Sequence, residues 1–210
     1  MIIYRPMALF HLFKTLTGRK ISLYADFIDP FCYIAFHTLR PLAESRGIEL
    51  DWRGFEFNPA TPPEGLPLVT AENSDLRPGM WASVQNLARR AGLDFPEPQR
   101  VPNTRLAQIL VATVPVPAVT NPLIERLYQA YFRGRQDIGQ SEILIDLATA
   151  FKIPQERLRA AWSDPRQTQR LEAHRTEAQS RRFMGLPGFV YRGKNYFGAL
   201  SEQAWKEILR

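Results

Sequence analysis

The chain has 210 residues, of which 45% are hydrophobic, 11% aromatic and 23% charged. That is enough apolar sequence for one sizeable core, and it excludes a largely disordered chain, a collagen-like chain and a coiled-coil rod. The net charge of +6 comes from basic residues that are spread along the chain without a nucleic-acid-binding signature, so they read as solvated helix faces and no nucleic-acid partner is expected.

Residues 1–20 carry an apolar patch interrupted by Arg5, Pro6, His11 and Lys14. They read as a tail or docking helix, as a stretch ahead of a true start at Met7, or as a weak export signal. No run of about 18 apolar residues follows, so no membrane span is expected and the expected compartment is the cytoplasm. Ile21 to Phe27 alternates like a buried strand. Asp29-Pro30 then offers an N-cap followed by proline at the first helical position, and Tyr33, Phe36, Leu39 and Leu42 carry a helix to about Ser45, before Gly47. Ile48 to Phe57 reads as a second strand, which completes a βαβ unit. Four prolines between Asn58 and Pro67 mark a long irregular loop. Helices are expected over Leu76–Ala91, Asn103–Val114, Asn121–Arg133, Ser141–Phe151, Pro154–Trp162 and Pro165–Phe183. A hairpin follows, Gly188–Tyr191 and Asn195–Phe197 around Arg192-Gly193-Lys194, and a last helix over Ser201–Leu209.

The order βαβ, helical block, ββα predicts an α/β thioredoxin-like fold with a large all-helical insertion. The expected division is an N-terminal extension (1–20), a thioredoxin-like part (21–70 with 184–210) and a helical insertion (71–183).

Chemistry is constrained by a single Cys and three His. Cys32 has no partner thiol, which excludes a Cys-x-x-Cys pair and a multi-Cys zinc site, and His11, His37 and His174 lack the spacing of a ligand pair, so no metal is expected. The segment Asp26-Phe27-Ile28-Asp29-Pro30-Phe31-Cys32-Tyr33 lies where the first strand hands over to the first helix. Free amides at a helix start favour an anion, which would make Cys32 more acidic than an ordinary thiol. The same residues also read as an N-cap (Asp29), a first helical residue (Pro30) and a small buried filler (Cys32). Asn103-Thr104 reads as a helix N-cap. Trp52, Trp81, Phe95 and Phe31 read as pocket-lining or as core. Arg53 and Arg105 read as carboxylate clamps or as surface or strand-end charges.

Asp-x-x-Asp-Pro-Phe-Cys-Tyr resembles the active-site turn of the DsbA superfamily of thioredoxin-fold proteins, in particular its FrnE-like branch, with Asp-x-x-Cys-Pro-Trp-Cys-Tyr. Trp52 to Pro59, Pro102-Asn103-Thr104, Ala130-Tyr131-Phe132 with Asp137-Ile138-Gly139, Gly185 to Val190, and Phe197-Gly198-Ala199 resemble later stretches of that branch in the same order. The resemblance implies a cis proline at Pro187, with the Leu186 backbone offered to a substrate peptide or to glutathione. In the chain, however, Asp29 stands where the family has its nucleophilic first Cys, and Cys32 matches the second.

Kappa-class glutathione transferases and 2-hydroxychromene-2-carboxylate isomerases are similar branches with Ser at both places, the first Ser being assigned to the glutathione sulfur. They grip the glutamyl group with Ser-Asp after the closing Gly, where this chain has Ala199-Leu200. The resemblance therefore implies a thiol- or glutathione-linked oxidoreductase or isomerase acting on a small molecule, without dithiol exchange. A cofactor-free isomerase and a non-catalytic binding protein are the alternatives. Cys32 and Asp29 are the candidate catalytic residues, Asp29 as base or N-cap. Pro30, Phe31, Leu186, Pro187 and Asn103 are the candidate binding residues. Glutathione is the candidate ligand, with no tightly bound cofactor and a homodimer of the kind common in the superfamily.

Overall fold

The computed structural model describes residues 19–68, 77–114 and 116–210. The N-terminal extension therefore lies, but for its last two residues, outside the described residues. β1 (Lys20–Ala25) runs parallel to β2 (Glu49–Gly54) and antiparallel to β5 (Gly188–Tyr191), which pairs antiparallel with β6 (Lys194–Phe197), giving the sheet order β2-β1-β5-β6. The sheet thus joins the two ends of the chain around everything between them. Ile21, Leu23, Tyr24 and Ala25 are buried, as expected for a strand covered on both faces.

α1 (Pro30–Ser45) forms the βαβ crossover. Asp29 is its N-cap in extended geometry and Pro30 follows at the first helical position, as the sequence predicts. The helix stops at Gly47, whose φ of 62° needs no Cβ penalty to be met, and the Ile48 amide closes the end by donating to the Ala43 carbonyl at 2.9 Å. β2 ends at Gly54, three residues short of the expected Phe57. Beyond it the chain pairs with the turn instead: the Phe55 amide donates to the Ala25 carbonyl at 3.0 Å and the Phe57 amide to the Asp26 carboxylate at 2.7 Å.

The insertion holds α2 (Arg77–Arg90), α3 (Arg105–Ala112), α4 (Pro117–Tyr128), α5 (Ser141–Thr149), α6 (Gln155–Trp162) and α7 (Pro165–Ser180). α4 begins four residues ahead of the expected Asn121 because Pro117, and not Pro122, takes the first helical position. Pro122 lies inside the helix, where a proline usually marks a start or a kink. α4 runs on into a π-turn over Gln129–Arg133, and Tyr128 and Phe132 on this stretch both stack on Tyr33 of α1, at 4.9 and 5.5 Å. A two-stranded ladder of β3 (Leu66–Pro67) with β4 (Arg100–Val101) ties down part of the loop read as irregular. The β5–β6 turn is shorter than expected: Arg192 and Gly193 both have positive φ, and Lys194 already pairs with Tyr191, which is a two-residue hairpin turn. α8 (Glu202–Ile208), capped by Ser201, packs Trp205 edge-on against Phe189 at 4.8 Å.

Candidate active site

The turn after β1 is shaped by two carboxylates. Asp26 Oδ1 accepts from the next amide, Phe27, at 2.7 Å, and Oδ2 accepts from the Phe57 amide in the loop after β2. Asp29 Oδ1 accepts from the Phe31 and Cys32 amides at 2.7 and 3.1 Å, so it fills the first turn of α1. Pro30 and Phe31 are half-buried beside it, and Cys32 is completely buried.

Burial pushes Asp29 up to about 6, against the two amides that favour its charge and with a further upward push from Asp26. Asp26 is also raised to about 6, again by burial, and the Phe57, Thr104, Phe27 and Gln108 bonds only partly offset it. The Cys32 thiol is pushed well above its ordinary value, first by burial and then by the Asp29 carboxylate. This reverses the expected acidic thiol. The amides that would have stabilised a thiolate are already occupied by Asp29 Oδ1, and two carboxyls face the sulfur.

Leu186–Pro187 is a cis peptide, as the resemblance implies. The pairing of Tyr24 with Gly188 sets this segment beside the turn that follows β1. The Pro187 carbonyl accepts from Gly198 at 2.9 Å, whereas among the described residues neither the amide nor the carbonyl of Leu186 has a backbone hydrogen bond. Asn103 is placed differently. Its Nδ2 donates to the Thr61 carbonyl at 2.6 Å and its Oδ1 accepts from the Arg105 amide at 3.0 Å. Both ends of the amide thus tether the loop at Thr61 to the start of α3.

Trp52 stacks on Phe27 at 5.0 Å, and Phe95 packs against Tyr33 and Phe132, so both are core. Trp81 and Phe31 lie partly buried against that core. Arg53, near the end of β2, pairs with Asp51, and Arg105, at the start of α3, pairs with Glu56. A groove of 390 Å³ opens between α1, α2 and the segment before α8, lined by Ile34, His37, Leu87, Arg90, Ala199 and Leu200 among others. Among the described residues no cluster of His, Cys, Asp and Glu is placed to hold a metal ion, and no helix is long and apolar enough to cross a membrane.

Three residues of the site, Asp26, Gln108 and Tyr128, carried no assigned role in the sequence. Asp26 is 1% exposed and its bonds come from far along the chain: the Thr104 hydroxyl, Gln108 Nε2 at 3.2 Å, and Tyr128, whose hydroxyl donates to the Asp26 carbonyl at 3.3 Å. The available signal was an acid at the end of a buried strand, three residues ahead of the capping Asp29.

The chain is 28% identical over 131 residues to the uncharacterised protein YwbO of Bacillus subtilis, a match that spans 61% of this chain and 64% of YwbO, less than two thirds of its length. Its fold is similar to a probable DsbA oxidoreductase from Streptomyces coelicolor, with a TM-score of 0.78 at 21% identity over 90% of this chain and 88% of the other. It is also similar to a 2-hydroxychromene-2-carboxylate isomerase, with a TM-score of 0.73 at 17% identity over 90% and 92% of the two chains. A third similar fold is the cytosolic disulfide reductase DsbM from Pseudomonas aeruginosa, solved with GSH, at 0.68 and 15% over 90% and 96%. The family model of the DSBA-like thioredoxin domain matches residues 20–210, and with the cis proline, the split sheet and the helical insertion in place, the chain belongs to that family.

Proposed function

We propose that this chain is a thiol- or glutathione-linked isomerase or oxidoreductase acting on a small molecule, with Asp29 as its acid–base group and Cys32 as a neutral neighbour. One observation carries the reading: the half-buried Asp29 carboxyl occupies the start of α1 on the Phe31 and Cys32 amides, and burial pushes it up to about 6, where a carboxyl can give or take a proton near neutral pH. Acting on a thiol, Asp29 takes the S–H proton and becomes the neutral acid, and the sulfur is left as the thiolate. Dithiol exchange needs an attacking and a resolving sulfur, and this chain has one. The unpaired Leu186 backbone offers an edge to an extended ligand such as glutathione. The GSH complex of DsbM, a structural neighbour, supports glutathione as that thiol.

A second reading, a cofactor-free isomerase, is favoured by a specific feature. Asp29 already fills the amides that a bound thiolate would use, and Ala199-Leu200 puts no polar side chain where similar branches grip the glutamyl group. Calorimetric titration with reduced glutathione separates the two. Saturable binding between micromolar and low millimolar, about −8 to −4 kcal/mol, and a roughly tenfold loss of affinity in Asp29→Asn are the results expected of the thiol-linked enzyme. No heat from the folded protein would reject it and leave the cofactor-free reading.

A further inference from the structure

Gln108 is a polar side chain in an otherwise apolar region of α3, 1% exposed, and each end of its amide is committed. Its Oε1 accepts from Trp52 Nε1 at 2.8 Å. Because an indole N–H only donates, this contact fixes which way round the amide lies and turns Nε2 toward two acceptors, Asp26 Oδ1 at 3.2 Å and the Ala25 carbonyl at 3.3 Å. The last residue of β2 makes room for it: a Cβ on Gly54 would lie 2.5 Å from Gln108 Oε1.

We propose that Gln108 is a positioning residue for the site, through which the helical insertion presents a fixed N–H to Asp26 and so sets how readily that carboxyl, behind the turn, holds its proton. The inference rests on the reading that the site works through its carboxyls. Asp26 is met from several elements: Asp29 and Cys32 from the turn and the start of α1, the Phe57 amide from the loop after β2, the Thr104 hydroxyl from ahead of α3, and Tyr128 from α4. Of these the titratable ones are Asp29, Cys32 and Tyr128. The charge on Asp26 acts directly on Asp29 and Cys32, so a donor that favours the Asp26 carboxylate makes Asp29 hold its proton more tightly.

The test reads the two carboxyls separately by NMR, through the pH dependence of the amide resonances bonded to them: Phe57 for Asp26 and Phe31 for Asp29. Gln108→Met keeps the bulk and removes both polar ends. Its Phe57 midpoint is expected to rise by about one pH unit, tenfold in proton affinity, while the Phe31 midpoint falls, because Asp26 stays neutral over more of the range. Gln108→Glu keeps the shape and the acceptor for Trp52 but sets a second acid against Asp26, so the Phe57 midpoint again rises; this variant carries the test if the methionine variant does not fold. An unchanged Phe57 midpoint in the folded variants would overturn the proposal and reduce Gln108 to a partner for Trp52. A shifted midpoint in a protein that binds no glutathione would keep the proposal and discard only the thiol-linked reading.

Discussion

Between pH 4 and pH 7.5 the Asp26→Asn variant is expected to gain about 3 kcal/mol of stability relative to the parent protein. The folded state holds a proton on Asp26 up to about pH 6, whereas the unfolded chain releases it near 3.8. A raised folded value means that the stability contributed by this group is complete below about pH 4 and is lost as the pH climbs through 6. The difference of about two pH units corresponds to about 3 kcal/mol. His174, buried and held below its ordinary value, works in the opposite direction, favouring the folded state at higher pH. Its contribution is common to both proteins and cancels in the comparison. Denaturant unfolding of parent and variant at several pH values measures the effect. A difference in stability that stays flat with pH would mean that Asp26 is ionised in the fold as it is in the unfolded chain.

Gly54→Ala is expected to cost about 4–6 kcal/mol, although alanine suits a strand as well as glycine does. The new methyl would sit 2.5 Å from Gln108 Oε1 and 3.1 Å from Leu171 Cδ2. A glutamine side chain ordinarily swings away at little cost, but here moving it breaks the bonds to Trp52, Asp26 and Ala25. Overpacking of about 1–3 kcal/mol is therefore joined by lost hydrogen bonds of about 1 kcal/mol each. Thermal unfolding followed by circular dichroism reads the loss. A variant as stable as the parent would show that the amide has a second resting place and that the network around Asp26 is loosely held.

The fold was largely legible because its signals are local. Alternation from Ile21, the Asp29-Pro30 start and the Gly47 stop each follow from neighbouring residues, and the hairpin needed only Arg192 and Gly193. The boundaries that moved did so where two local rules competed. Pro122 resembles a helix start as much as Pro117 does, and only packing of α4 decides between them. Likewise β2 reads as continuing to Phe57, but its later amides are captured by Ala25 and Asp26.

The site was half legible, for the same reason. Asp29 was visible as a cap, and its bonds reach only two and three residues along. Asp26 read only as an acid at the end of a strand, since its burial is made by residues about 30 to 100 positions away, Phe57, Gln108 and Tyr128. The acidic character expected of Cys32 came from weighing the helix start alone, without the complete burial of the sulfur. Burial of the sulfur, and then the Asp29 carboxylate on the helix-start amides, push the thiol up instead.

The proposed function assigns proton transfer to the carboxyl of Asp29, raised to about 6, and not to the thiol of Cys32, pushed well above its ordinary value. The most direct test is the rate at which Cys32 is alkylated at pH 7 in the native protein, compared with the same protein unfolded in denaturant. A fully buried, neutral thiol flanked by two carboxyls should react at least about 100-fold more slowly in the fold, through rare opening alone. Native alkylation as fast as in the unfolded chain, or faster, would show a reactive thiolate at Cys32 and contradict the assignment of the chemistry to Asp29.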